Sequence, residues 1–307
     1  MNEHNFISSP LNYTGGKTKL LPQIIPLFPN EINTFVDLFC GGCNVGINIQ
    51  AKRHIYNDIN SFIIDFYNFL LSVNKKEFIK QIDDIIYKYD LSNSTKYGYE
   101  IYGCESAKGL SSYNKNKYLK LRTDFNNFKN KNIEYYAMFY VLTVFAFNNQ
   151  IRFNSKNEYN IPVGKRDFND KMRVKLSDFI DKIQNQNSSF YSADFSSYIF
   201  DKNDFIYLDP PYLITTASYN ENNGWTTKDE ERLLDFLDTL IKQNIKFALS
   251  NVLEHKNHKN ELLINWCNKH RNNIIVHHLN FNYANSNYQT SKKDTLTDEV
   301  LITNFLK

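Results

Sequence analysis

The sequence of 307 residues is poor in cysteine, with four: Cys40, Cys43, Cys104 and Cys267. A chain this long with so few cysteines, and with no sign of export, does not call for a disulfide framework. Cys40 and Cys43 form a C-x-x-C, but no second such pair and no paired histidines stand at zinc-finger spacing. His255 and His258 lie in a polar run, EHKNHKNE, and read as the solvated start of a helix. No metal site is expected. Long apolar runs are lacking too, so nothing approaches the length of a membrane span. The opening MNEHNFISSPLNY has no basic segment followed by an apolar core, so no secretory signal is expected and the cytoplasm is the expected location.

An excess of one charge is also missing: 36 Lys and Arg face 33 Asp and Glu, a net +3. The distribution is nevertheless uneven. Residues 66–190 hold 20 basic and 13 acidic side chains, a balance of +7, and the remainder carries −4. A basic middle in an acidic frame suits a module that binds a polyanion, though ordinary surface lysine explains it as well. With 42% hydrophobic and 22% charged residues the chain reads as globular.

TFVDLFCGG reads as a buried strand running into a glycine turn. NVGINIQA should follow as a helix, RHIYNDIN as a second strand ending at Asp58, and SFIIDFYNFLLSV as an apolar helix. This order opens a doubly wound α/β sheet. From about residue 74 lysine, asparagine and tyrosine dominate. YYAMFYVLTVFAFNN is expected as a core helix there, and 152–166 as a hairpin or extended loop. The α/β pattern returns with SFYSADF and DFIYLDPPY. Thr227 and Glu230 have capping-box spacing, ahead of a stripe of Leu233, Leu234, Leu237, Leu240 and Ile241. IKFALSN, NIIVHHLNF and DEVLITNFL are further strands, and the last two flank a polar loop, 282–297, and are suited to antiparallel pairing.

Two places carry chemistry. FCGGCNVG lets the backbone approach a ligand closely, although it lacks the G-x-G-x-x-G spacing, and Asp58 ends a strand where an acid can hold ribose hydroxyls. A nucleoside-bearing cofactor is the reading, against a plain turn and helix cap. Asp209 then ends an apolar strand, followed by Pro210, Pro211 and Tyr212. The carboxylate, a carbonyl held by rigid prolines and an aromatic face suit a planar group with an exocyclic NH₂.

DPPY after an apolar strand resembles motif IV of amino-group methyltransferases that use S-adenosylmethionine. The whole chain is similar to Dam-like adenine-N6 DNA methyltransferases of the alpha motif order. PLNYTGGKTKLLPQI resembles that family's N-terminal signature, DLFCGGCNVG its cofactor loop, NDIN its ribose acid and SADF its adenine-pocket segment. NNQIRFNSKNEYNIPVGK resembles its DNA-contacting hairpin and EVLITNF its last strand.

The resemblance implies a Rossmann-like doubly wound α/β sheet with a terminal antiparallel strand. A mainly helical target-recognition insertion with a β-hairpin would interrupt it. The catalytic domain would be 1–73 with 189–307, and the DNA-binding domain 74–188. It implies S-adenosylmethionine as cofactor, at Tyr13, Gly15, Gly16, Lys17, Asp37, Phe39, Gly41, Gly42, Asp58, Asp194, Phe195 and Asp209, and no metal. Asp209, Pro210, Pro211 and Tyr212 would be the catalytic set. Double-stranded DNA would meet Arg152 and Asn154, which either read base edges or fix the loop, and Lys165 and Arg166, at the phosphates. A bacterial or phage origin and a restriction endonuclease acting separately fit the family; the recognition sequence is not readable, GATC being a guess from similar hairpins. Two departures stand out: Tyr13 where the family often has Trp, and Cys43 where its loop often has Gly. A mobile flap over Tyr219–Trp225 is compatible with the sequence but not established by it. The rival readings are a methyltransferase acting on RNA or on protein glutamine, and a non-catalytic DNA-binding module.

Overall fold

The computed structural model describes residues 6–13, 15–104, 109–214, 224–280 and 297–306. The chain forms two compact units, residues 17–64 with 186–307 and residues 1–16 with 65–185. Residues 6–13, 15, 16 and 65–73 fall in the unit that holds the middle of the chain. No described helix is long and apolar enough to cross a membrane.

The first unit is built on one mixed sheet. Its strands are β1 (Thr34–Asp37), β2 (Arg53–Asn57), β3 (Ser188–Tyr191), β4 (Asp204–Leu208), β5 (Lys246–His255), β6 (His258–Lys259), β7 (Ile275–Leu279) and β8 (Thr297–Thr303). The order is β3-β2-β1-β4-β5-β8-β7, with the two-residue β6 paired on β5. β3, β2, β1, β4 and β5 are mutually parallel, and β8 runs antiparallel between β5 and β7. The expected antiparallel partnership of the last two strands is thus present, while most of the polar loop between them, 281–296, lies outside the described residues.

Central parallel strands must be apolar on both faces. In β1 and β4 successive side chains do this with different chemistry. Val36, Ile206 and Leu208 pack in a largely aliphatic core with Leu233, Leu237 and Leu240 of the helix Thr227–Lys242. On alternate positions Phe35, Phe205 and Tyr207 cluster around Phe28, with the Phe28–Phe205 rings edge to face and their centroids 4.9 Å apart. Each such leucine contributes about 2 kcal/mol by leaving water. The register places Asp37 opposite both Tyr56 and Tyr207, so β1, β2 and β4 end within one residue of one another.

Three local expectations are corrected. The segment after the glycine turn is no α-helix but a single 3₁₀ turn, Gly46–Asn48. The β-branched Val45, Ile47 and Ile49 are poor helix formers, and all three are buried. The capping box of the helix Thr227–Lys242 is Thr226 with Asp229, one residue before the predicted pair. His255 and His258 face each other across a tight β5–β6 turn and do not begin a helix.

The second unit is mainly helical. Helices Lys75–Lys88, Ser111–Asn127, Ile133–Phe145 and Asp170–Asn185 dominate it, and every residue from Tyr136 to Phe145 is buried. Asn74 and Asn132 cap two of these helices by accepting from Glu77 N and Tyr135 N. The expected hairpin is held by isolated antiparallel bridges, Phe153–Tyr159 and Ala146–Val163, not by a continuous ladder.

Gly46 marks the tightest backbone approach beneath the glycine loop. A Cβ there would lie 2.4 Å from Tyr56 Cε1, and that ring is stacked on Phe190 at 4.7 Å and cannot withdraw. Gly46→Ala is expected to destabilise the protein by about 1–3 kcal/mol, as overpacking does. Denaturant unfolding at unchanged m-value reads this out.

Candidate active site

The neighbouring ends of β1, β2 and β4 bring three carboxylates together. Asp37 is the last residue of β1, Asp58 follows β2 and Asp209 follows β4. Each emerges where a parallel sheet presents ligands, beyond the C-terminal ends of its strands.

Asp58 is held by backbone. Its Oδ2 accepts from Gly41 N and its Oδ1 from Asn60 N, both at 2.9 Å. Gly41 has φ of +45°, which turns its N–H toward the acid, and Cys43 has φ of +57°. The left-handed conformation at Cys43 explains why glycine suits this position in the resembling family. Cys40 and Cys43 are buried and form no disulfide. Burial pushes the Asp58 carboxyl above its usual range, and the two N–H donors oppose the rise.

Asp37 is more extreme. It is 2% exposed, and its Oδ1 has no hydrogen-bond partner. Burial, then the nearby charges of Asp209 and Asp58, push its carboxyl well above the ordinary range; backbone bonds from Phe39 and Gly46 oppose this. A buried carboxylate oxygen without a donor suits a cationic or hydrogen-bonding ligand.

Asp209 has a cation at hand. Lys17 Nζ lies 3.0 Å from its Oδ1, and the Tyr212 hydroxyl donates to the same oxygen at 2.9 Å. Lys17 also lies 3.6 Å from Glu299 and 4.9 Å from the Tyr212 ring centroid. Burial raises the Asp209 carboxyl, while the charge and hydrogen bond of Lys17 and the Tyr212 hydroxyl pull it down. Pro210 is buried and Pro211 exposed.

Three aromatic rings gather at Phe39, two residues after Asp37. The Phe39 ring lies 5.3 Å from Phe195 and 5.9 Å from Trp225, and Phe195 lies 6.2 Å from Trp225. Asp194 caps the turn at Phe195 by accepting from Ser196 N, and binds Arg232 Nη2 at 2.8 Å.

A family model for D12 class N6 adenine-specific DNA methyltransferases matches residues 13–283. This chain belongs to that family. It is 40% identical over 98% of its length to the type II methyltransferase M.FokI of Planomicrobium okeanokoites, and equally to the modification methylase StsI of Streptococcus sanguinis. It spans 43% of each of those relatives. A DNA adenine methylase of Haemophilus influenzae is 30% identical over 78% of this chain and 78% of its own length.

Of the residues singled out in the sequence, Lys17, Asp37, Phe39, Gly41, Gly42, Asp58, Asp194, Phe195 and Asp209 to Tyr212 all belong to the sheet unit. Tyr13, Gly15 and Gly16 belong to the helical unit, as do Arg152, Asn154, Lys165 and Arg166. Lys165 and Arg166 are exposed. Arg152 donates from Nε to Asn160 Oδ1 at 2.7 Å. Asn154 is engaged within its own loop: Oδ1 accepts from Lys156 N and Glu158 N, and Nδ2 donates to Glu158. Tyr219 and most of the suggested flap lie outside the described residues; Trp225 is described. Among the described residues no group of acidic, histidine or cysteine side chains is arranged to hold a metal.

Three residues escaped the sequence reading. Glu299 is buried in β8 beside Lys17; an acid in the apolar run EVLITNF was its only signal. Asn57 donates to Leu38 O and Ala193 O and accepts from Ala193 N, so it joins the loops after β1 and β3. Its signal was a polar residue just inside a buried strand. The third, Glu230, was noticed only as a cap.

The orphaned oxygen of Asp37 has a consequence for stability. A carboxyl whose native pKa lies above its unfolded value costs nothing when both states are protonated; the cost builds as pH rises from the unfolded value toward the native one and is full beyond it. Asp37→Asn is therefore expected to raise Tm at neutral pH and to leave it unchanged near pH 3, while weakening ligand binding. Thermal unfolding at the two pH values, with calorimetric binding alongside, checks both halves.

Proposed function

We propose that this chain transfers a methyl group from S-adenosylmethionine to N6 of an adenine swung out of double-stranded DNA, as a site-specific modification enzyme. The observation that carries the reading is Asp209: a carboxylate at the open end of a parallel strand, followed by a proline-fixed backbone and Tyr212.

The residues of the sheet unit fit the cofactor. Asp58, fixed by Gly41 N and Asn60 N, would hold the ribose hydroxyls. Phe39, Phe195 and Trp225 offer an apolar wall for its adenine. Asp37 Oδ1 is an acceptor in want of a donor. Lys17 suits the methionine carboxylate; family resemblance assigns Tyr13 to that end, and Gly15 and Gly16 to the cofactor. When bound, the cofactor supplies an electrophilic methyl on a sulfonium.

The N6 lone pair of adenine is delocalised into the ring and is a poor nucleophile. Asp209 and the Pro210 carbonyl would accept the two amine hydrogens and face the positive charge that develops on nitrogen, which is electrostatic preorganisation. Tyr212 would stack on the base, and the rigid prolines would keep the acceptors in line with the methyl. In duplex DNA the amine is reached only by extruding the base. Binding energy would come largely from phosphates, through Lys165, Arg166 and the basic surface of residues 66–190, and would fall with salt. Arg152 is the candidate for base reading. Asn154 is assigned to holding the loop, because its polar atoms are already engaged there. A separately acting endonuclease accompanying the enzyme fits the modification methylases among its relatives.

Labelled-methyl transfer onto duplex DNA, RNA and protein fractions tests the substrate. Label confined to adenine N6 of DNA is the expected result; label on RNA or on protein glutamine would overturn it. Asp209→Ala should lose transfer by at least about a thousandfold while keeping DNA affinity, as loss of a charge-stabilising acceptor does. The acid limb of kcat should follow Asp209, since protonation removes the acceptor. Lys17→Met withdraws the cation that holds this carboxyl down, so its acid limb should move to higher pH.

A further inference from the structure

Glu230 is fully buried at the start of the helix Thr227–Lys242, where the observed capping register leaves it facing the interior. An ionised carboxylate in that position is costly unless its oxygens are met by donors. Three side chains meet it. Trp225 Nε1 donates to Oε2 at 2.6 Å, Asn260 Nδ2 donates to Oε1 at 2.8 Å, and Asn251 Nδ2 lies 3.5 Å from the same oxygen.

The two asparagines cannot turn their amides over. Asn251 Oδ1 accepts from Val252 N at 2.7 Å, and Asn260 Oδ1 accepts from Leu263 N as the cap of the helix Glu261–Lys269. Both therefore present N–H to Glu230, as does the indole. The site needs an acceptor at both of its oxygens. A carboxylate supplies that; an amide, in either orientation, sets one NH₂ against a donor. The partner on Oε2 is Trp225, whose ring lies against Phe39 and Phe195.

We propose that Glu230 is a positioning residue for the cofactor pocket: its carboxylate, oriented by Asn251 and Asn260, fixes the Trp225 indole against Phe39 and Phe195 and so sets the wall that receives the cofactor's purine. This rests on the assignment of that wall to S-adenosylmethionine in the preceding section. Asn251 lies in the part of β5 that pairs regularly with β8, one residue before Val252, where that register ends, and Asn260 caps the next helix. The anchor for Trp225 is thus part of the rigid scaffold.

The test measures S-adenosylmethionine binding by calorimetry, and steady-state kinetics on duplex DNA, for the full chain and the variants Glu230→Gln, Trp225→Phe and the double. Glu230→Gln should raise the cofactor Kd and KM about tenfold, the scale of one misplaced charge-assisted hydrogen bond, with kcat at saturating cofactor and DNA affinity little changed. In the Trp225→Phe background the opposed N–H is gone, so Glu230→Gln should add no further loss, a non-additivity expected of directly coupled residues. If Glu230→Gln alone fails to fold, recovery of folding and binding in the double variant supports the same coupling. Unaltered cofactor affinity in folded Glu230→Gln, additive losses, or a double variant that does not fold would overturn the inference. Wild-type protein that binds no S-adenosylmethionine would overturn the cofactor assignment and this inference with it, and is distinguished from those outcomes by the wild-type titration alone.

Discussion

Everything at the candidate site depends on the crowding of negative charge where β1, β2 and β4 end together. Asp37, Asp58 and Asp209 stand at neighbouring strand ends, largely out of water, and the charges of Asp209 and Asp58 add to burial in raising Asp37. Such a cluster is unfavourable in itself. The protein tempers it with the N–H groups of Gly41 and Asn60 at Asp58, those of Phe39 and Gly46 at Asp37, and Lys17 at Asp209. The residual imbalance, an acceptor without a donor at Asp37, is the kind of local cost that a binding site retains and a purely structural core does not.

The scaffold around this cluster is arranged to keep it in place. The registers of β1 with β2 and β4 set the heights of the acids. Asn57 joins the loops on either side of β2, and the left-handed Gly41 and Cys43 turn the loop backbone inward. Glu299 shares Lys17 with Asp209, so the cation lies between two carboxylates and is not committed to one. The aromatic wall and its buried Glu230 anchor continue the same principle on the side of Phe195: polar groups inside the unit orient an apolar surface.

Much of this was legible in the sequence. Apolar runs ending in DLFCGG, NDIN and DPPY mark strands by pattern and sites by the acids and glycines that terminate them, so β1, β2 and β4 and their carboxylates could be read directly. The α/β order and the antiparallel pairing of the last two strands followed in the same way. Where readings slipped, the cause was tertiary or a one-residue ambiguity. Val45, Ile47 and Ile49 have the apolar content of a helix, but their burial and the packing of Gly46 on Tyr56 leave only a 3₁₀ turn. The run TTKDEE offers two capping registers, and the one adopted sends Glu230 inward. Glu299 and Asn154 owe their roles to partners that spacing does not reveal: the lysine far away in sequence, and the backbone of the loop itself.

The most direct measurement is the position of the target nitrogen in a crystal structure of the chain with a duplex substrate and a non-reactive cofactor analogue. The account requires one Asp209 carboxylate oxygen and the Pro210 carbonyl oxygen each within about 3 Å of an extruded adenine's N6, with Asp58 on the analogue's ribose. An extruded base bound elsewhere, with Asp209 still closed on Lys17 and remote from N6, would contradict it.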